Sequence, residues 1–286
     1  MRLGGEPESS HFEDRTGQGF GGGMGGGALP LLLGLVGRKF GIVGILVLLL
    51  GYCAVSSLGG LGGGGESGQA AASKLDPNVK QFLVRTLGST EEVWGELFQR
   101  SGTRYSPTTL VAYSGGTQSA CGIGQAAMGP FYCPGDQSIY IDPAFFNELS
   151  QRFGAPGDFA MAYVIAHEVG HHIQNLEGTL QRAQQAQQGL GQEQGNQIQV
   201  GVELQADCYA GVWAANARDA KGSILEPGDI EEGMRAAEAI GDDTLQKQTQ
   251  GRVVPESFTH GTSAQRMEAL RRGMQSGNPA ACNYAR

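Results

Sequence analysis

A mostly helical α+β fold with a small sheet is predicted for residues 75–286, and three observations predict it. Several long stretches carry apolar residues at helical spacing, two short runs read as strands, and no internal repeat is present. The region holds about 210 residues, enough for a single domain with a substantial core.

Upstream of it, glycine dominates. The chain has 48 glycines in 286 residues, many in runs such as Gly21–Gly23, Gly25–Gly27 and Gly62–Gly65. Such segments bury too little apolar surface to offset the entropy of ordering the backbone. Residues 1–39 are therefore expected to be a flexible tail and residues 59–74 a flexible linker. Between them, Phe40–Leu58 (FGIVGILVLLLGYCAVSSL) carries no charge. As a helix it is about 28 Å long, close to the thickness of a bilayer's hydrocarbon core. Arg38 and Lys39 precede it, so a single-pass anchor is expected, with the tail cytoplasmic and the domain on the outer side. Ala54-Val55-Ser56 has small residues at the spacing of a signal-peptidase site. The length of the apolar stretch and of the region before it favours an uncleaved anchor.

Within the domain, Phe82, Leu83, Val93, Trp94, Leu97 and Phe98 mark helical sequence interrupted near Gly88, read as two helices. Leu110–Tyr113 and Ser138–Ile141 read as strands, each bounded by Gly, Pro or Asp. Asp142-Pro143 opens a short helix with Phe145, Phe146 and Leu149, and Asp158 is a candidate N-cap for a helix running to about Asn175. The glutamine-rich stretch Gln181–Gln199 is polar and broken by glycine, and is expected to be partly a mobile excursion. A second long helix is expected over Gln197–Ala217 and a last one over Ser263–Met274.

Net charge is −8 and no cluster of Lys or Arg could neutralise a row of phosphates, so a nucleic-acid partner is not expected. Outside the apolar span four cysteines remain: Cys121, Cys133, Cys208 and Cys282. An even number in an exported domain suggests two disulfides, although four cysteines allow three pairings and free thiols in a reducing compartment are the alternative. Pairing Cys121 with Cys133 would staple a short loop and leave Cys208 to tie a helix to the C-terminal tail.

The chemistry is concentrated in His167-Glu168-Val169-Gly170-His171. On a helix, residues i and i+4 share a face, so His167 and His171 can grip one zinc ion while Glu168 takes a proton from the water that the metal activates. Chance would produce His-Glu-x-x-His on the order of once in a hundred sequences of this composition. Downstream, Glu203 and Asp207 stand at i and i+4 on an otherwise apolar helix, where two acids need a cation. Glu203 is the expected third ligand, and Asp207 the expected acceptor of a hydrogen bond from a ligating imidazole.

His260 is a candidate donor to the oxyanion of a scissile carbonyl, or else a structural histidine that caps the last helix or bonds Asp207 or Glu203. Tyr209 and Tyr140 are lesser candidates, each more naturally core. His172 points about 100° away from the ligand face and reads as a packing or surface residue. His11, in the tail, is assigned nothing. Ser138–Asp142 is a candidate edge strand for an extended peptide, or an ordinary sheet strand.

The stretches GPFYCPGDQSIYID, HEVGHHIQN, ELQADCYAGVWA and FTHGTSAQR, with the glycine-rich N-terminus and single apolar span, resemble the putative neutral zinc metallopeptidase family, often called the YpfJ type. The resemblance covers nearly all of the chain after about residue 78. It implies a zincin-like fold, one zinc ion per chain and a metalloendopeptidase acting on a peptide or protein. The alternative is a catalytically silent zinc-containing binding or scaffold protein of the cell envelope. A serine or cysteine hydrolase is disfavoured because no serine lies in Gly-x-Ser-x-Gly.

Overall fold

The computed structural model of the chain describes residues 1–18 and 73–284. The expected span Phe40–Leu58 lies outside the described residues, as does most of the glycine-rich sequence around it. Among the described residues no helix is long and apolar enough to cross a membrane. The α+β class is as expected: helices dominate, with one four-stranded sheet and two short hairpins.

Residues 1–18 are not a flexible tail. Phe12–Asp14 form strand β1, paired in parallel with β2 (Thr109–Ala112), Phe12 opposite Leu110. On the way there the chain crosses helix α1 (Pro77–Arg100), where the Ser9 amide donates to the Val84 carbonyl at 3.0 Å. His11 Nδ1 lies 2.9 Å from Glu91 Oε1 on the same helix. The Met1 ammonium is held by Asp158 at 2.8 Å and Asp229 at 3.2 Å. A single membrane crossing at Phe40–Leu58 would part residues 1–18 from residues 73–284, which share one sheet.

The same arm explains why α1 is continuous where two helices were expected. Asp76 caps it by accepting from the Asn78 and Val79 amides, and Pro77 opens its first turn. At Gly88 a Cβ would fall 2.1 Å from the Pro7 carbonyl oxygen. The glycine admits the crossing arm, and the helix tolerates a propensity cost of about 1 kcal/mol.

The sheet order is β1-β2-β6-β5, with β5 at Phe131–Cys133 and β6 at Ser138–Ile141. β6 runs parallel to β2 and antiparallel to β5. Of the two readings of Ser138–Asp142, the structure selects the ordinary sheet strand over the edge strand. All four residues of β6 are buried, as a strand flanked on both sides and covered on both faces must be; β1 and β5 are the edges. The hairpin of β3 (Gly116–Ser119) and β4 (Gly122–Gln125) is tied to β5 by the Cys121–Cys133 disulfide.

Asp142 opens α2 (Ala144–Gln151), its Oδ1 accepting from the Ala144 amide. Helix α3 spans Asp158–Leu176, with Gly157 at the N-cap. Asp158 does not cap it, because that carboxylate faces the Met1 ammonium; Glu232 accepts from the Phe159 amide instead, at 3.1 Å. The glutamine-rich stretch, expected to be partly mobile, is helical throughout most of its length: α4 covers Thr179–Gln187 and α5 covers Gln192–Asn216. Glutamine is a good helix former, and apolar sequence further along α5 anchors the polar turns. After the hairpin of β7 (Arg218–Asp219) and β8 (Gly222–Ser223) come α6 (Asp229–Ala239), α7 (Asp242–Gln250) and α8 (Ser263–Ser276). A capping box between Thr262 and Gln265 starts α8.

Helices α3 and α5 form the centre of the core, packed by Tyr163, Val169, Ile173, Tyr209 and Trp213. They approach closely at Gly170, where a Cβ would lie 2.9 Å from the Ala206 carbonyl oxygen. That approach brings the His-Glu-x-x-His face onto the Glu203–Asp207 face. Cys208 on α5 is bonded to Cys282 and fixes the C-terminal tail there. By loop entropy the bond contributes about 4 kcal/mol for its separation of 74 residues.

Candidate metal centre

His167, Glu168 and His171 project from the middle of α3, and Glu203 and Asp207 from the facing turns of α5. The two imidazole rings lie 4.8 Å apart, nearly perpendicular. Both turn Nε2 towards one oxygen of Glu203: His167 Nε2 is 3.2 Å and His171 Nε2 3.5 Å from Glu203 Oε2. One ligand atom from each of the three residues lies within 4.8 Å of the other two. Two imidazole nitrogens and one carboxylate oxygen, converging in a largely buried site, fit catalytic zinc with three protein ligands.

Each imidazole is oriented through its other nitrogen. His167 Nδ1 is 2.7 Å from Asp207 Oδ1. Asp207 is fully buried and also accepts from the Tyr163 hydroxyl at 2.6 Å and from Arg266 Nε and Nη2 at 2.9 Å each. Burial pushes Asp207 up, but the Arg266 guanidinium and His167 outweigh it and hold the carboxyl at about 2. Burial opposes charge on His167 and His171, yet Asp207 and Glu203 respectively raise both imidazoles. Glu203 is held well below the usual carboxylate range: burial opposes this, and the two histidines prevail.

His171 Nδ1 meets a neutral partner, Gln174 Oε1, at 2.9 Å. Gln174 Nε2 donates to the Val202 carbonyl at 2.7 Å and to Gln205 Oε1 at 2.9 Å; Gln205 Nε2 donates to the Cys282 carbonyl at 2.9 Å. Glu203 Oε1 accepts from Gln199 Nε2, one turn earlier on α5. Glu168 follows His167 directly and is 7% exposed.

His260 lies on the loop before α8, its side chain half exposed. It bonds neither Asp207 nor Glu203. Asp242 holds the loop, its Oδ2 accepting from the Thr259, His260 and Gly261 amides while Oδ1 lies 3.2 Å from His260 Nδ1. That hydrogen bond raises the imidazole's pKa against the opposing effect of burial, and the charge of Glu203 adds to the rise.

The remaining candidates fall elsewhere. Tyr209 donates to Glu177 and packs on Trp94; Tyr140 donates to Asp136 and stacks on Phe131. His172 is fully buried between Tyr132 and the Ser106 carbonyl. A second acidic group, Asp158, Asp229 and Glu232, is engaged by the Met1 ammonium and the Phe159 amide.

Sequence reasoning missed Arg266, Tyr163, Gln174 and Asp242. Arg266 left a signal: it shares a helical face with Ser263, Ala269, Leu270 and Gly273, all buried, and a charge on such a face needs a partner. Gln174 stands three residues after His171, within reach on the same helix.

Comparison with known proteins identifies a family for the chain. The family model described as putative neutral zinc metallopeptidase matches residues 1–285. The uncharacterized protein YpfJ of Escherichia coli K12 is 46% identical over 286 residues, covering 99% of this chain and 98% of its own length. An uncharacterized protein of Mycobacterium tuberculosis H37Rv is 43% identical over 214 residues, covering 72% of this chain and 70% of its own. No solved structure matches.

Proposed function

This chain belongs to the putative neutral zinc metallopeptidase family, and on that premise we propose that it hydrolyses peptide bonds at the centre built by His167, His171 and Glu203. The observation that carries the reading is the convergence of three ligand atoms within 4.8 Å beside a glutamate with no part in holding the metal.

In this reading His167 Nε2, His171 Nε2 and Glu203 hold one zinc ion, which supplies Lewis acidity towards the scissile carbonyl. The Glu168 carboxylate takes a proton from the attacking water and returns it to the amide nitrogen as the C–N bond breaks. Asp207 keeps the His167 proton on Nδ1 and leaves Nε2 free as a ligand. The His260 imidazolium, held by Asp242, donates to the carbonyl oxygen as negative charge develops on it.

The two disulfides support a location on an oxidising side of the membrane for the folded unit, since such bonds persist where thiols are not kept reduced. Residues 1–18 supply a strand to the folded unit that carries His167, His171 and Glu203, so in this reading any membrane attachment through Phe40–Leu58 keeps both on that face.

The test is Glu168→Gln, assayed for cleavage of an unfolded protein. The variant is expected to keep its zinc and lose hydrolysis by at least about 10²-fold. Undiminished hydrolysis would remove Glu168 from the mechanism. Zinc bound by the wild type without cleavage of any peptide would return the non-catalytic binding protein.

A further inference from the structure

The two metal-binding histidines are oriented by different devices, and the second has a built-in direction. His167 faces a charged acceptor, Asp207, backed by Arg266. His171 faces the side-chain amide of Gln174, and an amide can present either its oxygen or its NH2 group. Which end it presents decides whether His171 Nδ1 must carry a proton, and so whether Nε2 is free for a metal.

The chain of hydrogen bonds behind Gln174 settles that choice. It ends on the Cys282 backbone carbonyl, which only accepts. Gln205 must therefore turn its NH2 group to Cys282, at 2.9 Å, and its oxygen to Gln174. Gln174 must answer with its own NH2 group, whose second hydrogen goes to another backbone carbonyl, that of Val202, at 2.7 Å. Only the oxygen of Gln174 remains for His171, so Nδ1 is the donor. The end of the relay is itself fixed: Cys282 is bonded to Cys208, three residues beyond Gln205 on α5. Both glutamines are buried, Gln174 completely, so water cannot substitute for either partner.

We propose that Gln174 and Gln205 are positioning residues that fix the tautomer and orientation of the ligand His171 from the disulfide-anchored tail. The inference rests on the zinc reading of the site and deepens it. A neutral amide also suits the local charge. Zinc and Arg266 would bring three positive charges, matched by Glu168, Glu203 and Asp207; a carboxylate at position 174 would leave a buried excess of negative charge.

The experiment uses the full chain, with zinc affinity measured by chelator competition and the His171 Nδ1–H resonance followed by proton NMR. Partners of this kind contribute 10- to 100-fold to metal affinity. Gln174→Leu is expected to weaken zinc binding by about that factor, and the slowly exchanging Nδ1–H signal of the zinc-loaded wild type should vanish. Gln205→Leu touches no ligand, so it separates relay from packing. The relay requires it to weaken zinc binding several-fold and broaden the same signal, whereas a packing role lowers thermal stability and leaves both unchanged. Unchanged zinc affinity in both variants overturns the relay and spares the metal centre. Absence of zinc from the wild type overturns both.

Discussion

Asp207→Asn keeps the shape of a buried side chain and removes the charge on which His167, Tyr163 and Arg266 converge. Two routes give its magnitude. Asp207 titrates at about 2 in the folded protein and near 3.9 when unfolded, which is on the order of 2 kcal/mol of stability at neutral pH. Its folded pKa is depressed, so this contribution is complete above about pH 4 and is lost as pH falls through about 2. Removing one partner of a buried pair costs more, about 3–5 kcal/mol, because the other charge stays buried and uncompensated. Arg266 is 3% exposed and makes its two shortest contacts with this carboxylate, so the larger figure applies. Urea unfolding of the zinc-free full chain at pH 7 should show that loss. Asp207→Asn combined with Arg266→Met should recover part of it, since the stranded cation is gone. A loss below about 1 kcal/mol in the single variant, or a double variant worse than the sum of the singles, would mean that Asp207 does not compensate the buried Arg266 charge.

His260→Ala should lower kcat by about 10²–10³-fold with KM less affected, the loss expected for one oxyanion donor. Because its pKa is raised, the donor form is present at low pH and lost as pH rises through that raised value; the alkaline fall in kcat should disappear in the variant. Deleting residues 1–18 strips β2 of one of its two neighbours and removes the apolar packing of the partly buried Met1, Leu3 and Phe12 from the core, so unfolding free energy should drop by about 3 kcal/mol or more; unchanged stability would detach the arm from the fold. Topology reporters fused before residue 1 and after residue 284 should report the same face of the membrane, and opposite faces would contradict the shared sheet.

What could be read from the sequence was what one helix decides alone. His167 with His171, and Glu203 with Asp207, share faces by spacing, and the structure brings both faces together at Gly170. The cysteine pairing was legible for a similar reason, as a short staple that leaves one remaining pair. What escaped was decided between distant segments. Gly88 reads as a helix break until Pro7 is seen to occupy the space its missing Cβ leaves. Asp158 reads as an N-cap until the Met1 ammonium claims it. Ser138–Ile141 reads as a strand, but its place between β2 and β5 depends on pairings no local pattern records. Arg266 and Gln174 are ordinary polar residues until their helices meet α5.

A metal centre made by His167, His171 and Glu203 sets the zinc content of the protein at one ion per chain. The full chain, purified without added metal and then exposed to zinc, should carry one ion. Glu203→Ala and His171→Ala should carry much less than one while remaining folded by circular dichroism. A wild type without zinc, or a Glu203→Ala variant that keeps a full equivalent, would contradict the claim.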